Sequence, residues 1–220
     1  MKPQFNQPQA SQLQSIQQAY QTGQLALALD RAQQLARTYP RSLPVLNWLG
    51  MCFQAQGQLR EAAEAFAKML ALNPNIAEIH CNLGAIYTQL RDTNGALAAY
   101  RQALRLKPDL TVAHFNVGAL LQQEQQWQDA SEHYRQAVTQ QPGFYQAWVN
   151  WGAVLQTLGE LQPAEQCYRR ALTIQQDALG YFNLGTNLYD QGAQEQAIEA
   201  FREALRLDPQ FADAWNDLGE

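Results

Sequence analysis

Ala77-Glu78-Ile79-His80-Cys81-Asn82-Leu83-Gly84, followed by Tyr87, Ala96, Tyr100 and Ala103-Leu104-Arg105-Leu106-Lys107-Pro108, is one copy of the pattern that decides the fold. Gly50, Gly84, Gly118 and Gly152 stand 34 residues apart, and Gly185 and Gly219 follow at steps of 33 and 34. A fixed period of this length marks a repeat array. Within each copy, apolar residues recur at helical spacing in two blocks separated by a short polar stretch such as Arg91-Asp92-Thr93-Asn94. The unit is therefore a helix-turn-helix. A proline near its end (Pro74, Pro108, Pro142, Pro209) cannot continue the second helix and so closes the unit. One such unit cannot bury its own apolar face, so the predicted product is a stack of units in one continuous domain.

The period divides the chain into units 43–76, 77–110, 111–144, 145–177 and 178–211. Residues 212–220 begin a further unit or cap. A degenerate unit is expected at 9–42, with Gly23, Ala28 and Pro40 in register and Ile16 in place of the repeating glycine. Residues 1–8 are expected to be a disordered lead. Unit 145–177 is one residue short and ends Ile174-Gln175-Gln176-Asp177 without proline, which predicts an altered turn and a changed superhelical path there.

Trp148, Trp151-Gly152, Ala164, Tyr168 and Ala171 carry a further pattern, met more fully by Tyr181, Leu184-Gly185, Ala197, Phe201, Ala204 and Pro209. With these residues in register, the chain resembles the tetratricopeptide repeat (TPR) family over nearly its whole length. That resemblance implies an all-α fold: a right-handed superhelical solenoid of antiparallel helix pairs. It also implies that the first helix of each unit lines a concave groove. Glycine inside a helix costs ~1 kcal/mol relative to alanine, so its repetition at one register points to close packing.

Carrying the register over, Asn82, Asn116, Asn150 and Asn183 fall two residues before the repeating glycines and are expected to form an asparagine ladder. An amide offers both a donor and an acceptor, which matches the backbone of an extended peptide. Ladders of this kind resemble those in the TPR arms of O-GlcNAc transferase-like proteins. The alternative is that these amides hydrogen-bond neighbouring helices. Phe115, Gln122, Gln146, Val149, Phe182 and Tyr189 complete the expected peptide-binding groove. Glu78, Cys81, Gln89, Gln156, Thr186 and Asp190 are their neighbours. This wall is neutral to acidic and lacks the Lys and Arg pair with which family members clamp a C-terminal carboxylate.

The net charge is −5, the pI near 5.2, and only 16% of residues are charged. These values supply no electrostatic footprint for nucleic acid. No apolar run is long enough to span a bilayer, and the N-terminus shows no secretory pattern. Cys52, Cys81 and Cys167 form no disulfide framework, so a reducing, cytoplasmic location is expected. No HExxH, CxxC, GxSxG or phosphate-loop spacing appears, so neither catalysis nor a cofactor or metal is expected. His80 and His114 are read as core histidines and His133 as a surface residue.

The expected function is a protein-interaction scaffold that holds a neutral to basic extended peptide or partner segment. Two alternatives are a substrate-recruiting arm of a larger enzyme, such as a glycosyltransferase, and end-to-end self-association through open repeat ends. Phe211, Ala214, Trp215 and Leu218 begin a helix whose partner would lie past Glu220, so the chain is expected to be a fragment of a longer protein.

Overall fold

A computed structural model describes residues 7–219, except for the side chain of Leu218. Residues 1–6 of the expected lead lie outside the described residues. Among the described residues there are thirteen α-helices and no strand. They are α1 (Ala10–Gln21), α2 (Leu25–Thr38), α3 (Leu43–Ala55), α4 (Leu59–Leu72), α5 (Ala77–Gln89), α6 (Thr93–Leu106) and α7 (Thr111–Gln123). There follow α8 (Trp127–Gln140), α9 (Tyr145–Thr157), α10 (Leu161–Ile174), α11 (Ala178–Asp190), α12 (Gln194–Leu207) and α13 (Ala212–Leu218). Two compact units are formed, one ending at Pro108 and one beginning at Asp109. Within each, an odd-numbered helix packs most extensively on the even-numbered helix that follows it.

Small and large residues facing one another set that pairing. A Cβ placed on Gly50, Gly84, Gly152 or Gly185 would come within 2.6 to 2.7 Å of the ring of Phe66, Tyr100, Tyr168 or Phe201. At Gly118 the ring of Tyr134 stands slightly further off, at 3.0 Å. The missing Cβ lets each ring lie flat on the helix it faces. All five rings are buried, and a buried side chain of this size contributes about 1.5–3 kcal/mol. The first helix pair solves the same problem in reverse. Ile16 stands in the glycine column and Ala32 in the aromatic column, and both are fully buried in one cluster.

The turn between the two helices of a pair needs one residue with positive φ. Gly23, Gly57, Gly159 and Gly192 supply it at φ between 73° and 79°. Arg91 and Gln125 take the same place at φ 60° and 58°, where a side chain costs roughly 1–2 kcal/mol.

The closing prolines have a second use. The ring N–H groups of His80, Trp148 and Trp215 donate to the carbonyls of Pro74, Pro142 and Pro209, six residues earlier, at 2.9, 2.9 and 3.0 Å. A carbonyl can only accept, so His80 Nε2 carries the proton and this histidine is a structural donor. Before α11 there is no proline, and the turn is altered. Asp177 caps the helix by accepting from the Gly180 N–H at 2.7 Å. Its carboxylate also accepts from the Tyr145 hydroxyl at 2.7 Å, tying the start of α9 to the start of α11. Burial, then the bond to Asp177, pushes the Tyr145 phenol well above its ordinary pKa.

All three histidines differ from the sequence reading: His80 and His114 are half-buried and lie outside the core. His133 is half-buried on α8, with its Nδ1 3.0 Å from Nδ1 of His114 on α7. One ring must donate and the other accept, so at least one is neutral. The histidine at 114 thus pairs across its own helix hairpin, which brings His133 in from the expected surface.

Candidate functional site

In the second unit, α7 touches α9 and α9 touches α11, so the odd-numbered helices form a continuous face. Asn116, Asn150 and Asn183 lie half-buried on these three helices in succession. Asn82 lies half-buried on α5 in the first unit.

The three amides of the second unit are not equivalent. Asn150 is engaged at both ends: Oδ1 accepts from Gln146 Nε2 at 2.9 Å, and Nδ2 donates to the Tyr134 hydroxyl at 3.3 Å. That hydroxyl donates in turn to Gln122 Oε1 at 2.7 Å. Burial pushes the Tyr134 phenol up to about 12, with the Asn150 bond acting more weakly in the opposite direction. Among the described residues, the side-chain amides of Asn116 and Asn183 have no hydrogen-bond partner.

One repeat further on, the Tyr168 hydroxyl donates to Gln156 Oε1 at 3.1 Å, and Gln156 Nε2 donates to Asp190 Oδ2 at 2.6 Å. The next repeat breaks this column. Phe201 replaces the tyrosine and has no hydroxyl, while Tyr189 replaces the glutamine and stands 62% exposed. Between α11, α12 and α13 a cavity of about 360 Å³ opens, lined by Thr186, Tyr189, Asp190, Phe201, Asn216 and Asp217. Its walls carry two aromatic rings and two carboxylates. Phe201, Asn216 and Asp217 are the lining residues that the sequence reading did not assign to the groove.

The other expected groove residues divide by side-chain length. Val149 is a correction: at 4% exposure it belongs to the core, because a short branched side chain at this position stays inside the helix pair. Cys81, in the same column, is buried for the same reason. Phe115 and Phe182 are long enough to reach the repeat junction and are half-buried there. Phe115 stacks on Phe144 and Tyr134 at ring-centre distances of 4.8 and 5.9 Å. Phe182 lies against Phe211 and Phe201 at 5.0 and 5.8 Å. Gln146, Gln89 and Glu78 are exposed, and Glu78 pairs with Lys107 at 3.2 Å.

Charge is distributed unevenly. Residues 1–108 contain ten Lys and Arg against five Asp and Glu, a net charge of +5. Residues 109–220 contain five against fifteen, a net charge of −10. None of α7, α9, α11 and α13 carries a Lys or Arg, and their charged residues are Asp190, Asp213 and Asp217.

Burial raises all three thiols, Cys52 and Cys81 to about 11 and Cys167 to about 12. They stay protonated near neutrality, and a protonated thiol is a poor nucleophile. No group of three His, Cys, Asp or Glu suited to a metal occurs among the described residues. No described helix is long and apolar enough to cross a membrane.

Comparison with known proteins accords with this architecture. The sequence matches family profiles described as tetratricopeptide repeat over residues 44–76, 77–110 and 118–178, and as TPR repeat over 185–220. No curated protein sequence matches the chain. Among solved structures, PilF of Pseudomonas aeruginosa is similar with a TM-score of 0.81 at 18% identity, covering 95% of this chain and 96% of that one. YrrB, a TPR protein with an unusual peptide-binding site, gives 0.75 at 17% identity, covering 86% and 98%. MamA gives 0.70 at 21% identity, covering 78% and 94%. At these identities the likeness is one of fold. The repeating glycine-aromatic pairs, the thirteen helices and the profile matches over most of the sequence agree, and the chain belongs to the tetratricopeptide repeat family.

Proposed function

We propose that the protein is a non-enzymatic interaction scaffold, and that the odd-helix face of the second unit receives an extended segment of a partner protein. One observation carries the reading: Asn116 and Asn183, on the rows either side of Asn150, hold amides unpartnered among the described residues, on a face without Lys or Arg. An amide without an internal partner is available to a peptide N–H or C=O. Extended ligands bound in this way gain affinity from main-chain hydrogen bonds and specificity from side-chain pockets. Asn150 has a supporting role instead, since both ends of its amide are already engaged. The absence of Lys and Arg disfavours a C-terminal carboxylate as the ligand's anchor and favours neutral or basic segments.

The test is an array of capped, extended nonapeptides probed with the wild type and with the Asn116→Ala/Asn183→Ala double variant. The double variant is expected to lose retention about tenfold at an unchanged Tm. Asn150→Ala is expected to lower Tm instead, because it removes the bonds to the Tyr134 hydroxyl and to Gln146. Retention unaffected by the double variant sinks the assignment of these two amides.

A further inference from the structure

We infer that the cavity between α11, α12 and α13 is a specificity pocket for the Arg or Lys side chain of a basic partner segment. The inference rests on the groove reading above and adds the chemistry of one subsite.

The cavity exists because a repeated motif stops. In the two preceding repeats a tyrosine hydroxyl closes onto a glutamine carbonyl, Tyr134 on Gln122 and Tyr168 on Gln156. At the third position, Phe201 offers no hydroxyl and Tyr189 is turned out to 62% exposure. The space so opened, about 360 Å³, lies within the size range of small-ligand sites and admits a long side chain. Its base is the buried Phe201 ring, against which an aliphatic stem can lie.

Both charged groups of the pocket are carboxylates, beside the neutral Thr186 and Asn216. Asp190 and Asp217 come from different helices, and the exposed Tyr189 lines the pocket beside them. A guanidinium or ammonium over a tyrosine ring gains about 0.5–1 kcal/mol at an exposed site, and carboxylates at the rim add direct pairing. Asp190 is held in place by the Gln156 amide at 2.6 Å, and that amide is braced by Tyr168. No Lys or Arg on α7, α9, α11 or α13 competes for these carboxylates. The net charge of −10 on this unit adds a long-range field that steers a basic segment toward it. A carboxylate-bearing ligand would meet repulsion at the same place.

The experiment uses the peptide array with one central position set to Arg, Lys, citrulline, Leu or Glu. Citrulline keeps the shape of arginine and removes its charge. Wild type is expected to retain the Arg and Lys peptides about tenfold more strongly than the citrulline peptide, with the gap shrinking at high salt. Asp190→Asn/Asp217→Asn is expected to erase that gap by lowering Arg- and Lys-peptide retention to about the level of the citrulline peptide. Tyr189→Ala is expected to reduce the gap without abolishing it. A gap that survives the double variant, or no gap in wild type, overturns the pocket and leaves the groove reading standing. Failure of wild type to retain any peptide overturns the groove reading, and the pocket with it. Light scattering of the chain alone separates out a second copy as occupant. Concentration-dependent association abolished by Asp190→Asn/Asp217→Asn would overturn the separate partner in favour of the basic unit of another copy.

Discussion

The helix pairs α9/α10 and α11/α12 follow one packing plan and end in opposite surfaces. In both, a glycine meets a buried ring: Gly152 against Tyr168 and Gly185 against Phe201, with 2.7 and 2.6 Å to a hypothetical Cβ. In the first pair the tyrosine hydroxyl reaches Gln156 and the surface is closed by hydrogen bonds. In the second the hydroxyl is missing and a cavity takes its place. The comparison teaches that the repeat separates two tasks. The glycine-aromatic contact holds the helices together, while one hydroxyl and its glutamine decide whether the odd-helix face is sealed or open.

If the packing task is the same in both pairs, Gly152→Ala and Gly185→Ala should destabilise by similar amounts, about 1–3 kcal/mol each in urea denaturation. The helix-propensity gain of ~1 kcal/mol offsets only part of the overpacking. Gly118→Ala should cost less, since the Tyr134 ring stands slightly further away, at 3.0 Å. Clearly unequal costs at 152 and 185 would break the comparison at its first premise.

A second difference between the pairs is internal. At the position where α9 buries Val154, α11 buries Asn187, fully inaccessible, and its amide nitrogen has no hydrogen-bond partner among the described residues. The orientation is imposed from outside. Gln191 Nε2 donates to Glu165 Oε2 and to Asn187 Oδ1, both at 2.8 Å, so the Asn187 nitrogen must point the other way. The Gln191 bond, then that from Arg169, holds the Glu165 carboxyl below its usual pKa, so it remains an acceptor at neutral pH. An unsatisfied buried amide costs about 1–3 kcal/mol, and the lost Gln191 bond offsets about 1 of that. Asn187→Val is therefore expected to raise stability by up to about 2 kcal/mol, read as a higher Tm. A fall in Tm would mean that the polar chain from Arg169 to Asn187 holds α10 and α11 together more firmly than an apolar contact does.

The smallest effect belongs to the hydroxyl itself. Tyr168→Phe should lose about 0.5–1.5 kcal/mol, the net value of one hydrogen bond. Tyr134→Phe should lose more, because that hydroxyl serves both Gln122 and Asn150. Phe201→Tyr should leave Tm unchanged, since its new hydroxyl finds a tyrosine where a glutamine would be, and should weaken retention of Arg-bearing peptides by filling the cavity. Thermal melts of the three variants, beside the array for the last, test whether sealing and packing are separable.

The helix pairs were legible in the sequence because their determinants recur. A glycine two residues after each asparagine and an aromatic sixteen residues after each glycine stand out at a fixed step. Engagement with a neighbouring helix was the alternative reading for all four asparagines, but that Asn150 would take it was not legible, because it depends on a tyrosine from the preceding repeat coming within reach across a helix junction. Val149 and Phe115 share a column and differ in fate, since the column fixes direction while side-chain length decides whether the surface is reached. His133 was misplaced for a related reason: its partner is a histidine in a column otherwise read as aromatic. The open cavity could have been found from the sequence by comparing columns, where Tyr134, Tyr168 and Phe201 run beside Gln122, Gln156 and Tyr189.

The inverted pair at the start of the chain constrains how such a protein can grow. Gly50 faces Phe66, whereas the same two columns hold Ile16 and Ala32 in the first hairpin. A recombination event that joined α1 to α4 would drive an isoleucine into a phenylalanine ring, and one that joined α3 to α2 would leave glycine opposite alanine with a void between them. The first hairpin therefore exchanges with the others only as a whole, whereas the five glycine-aromatic hairpins share one small-to-large fit and can trade single helices at this contact. For the first hairpin, the joint that keeps both columns matched is the short segment Tyr39–Ser42 that follows it.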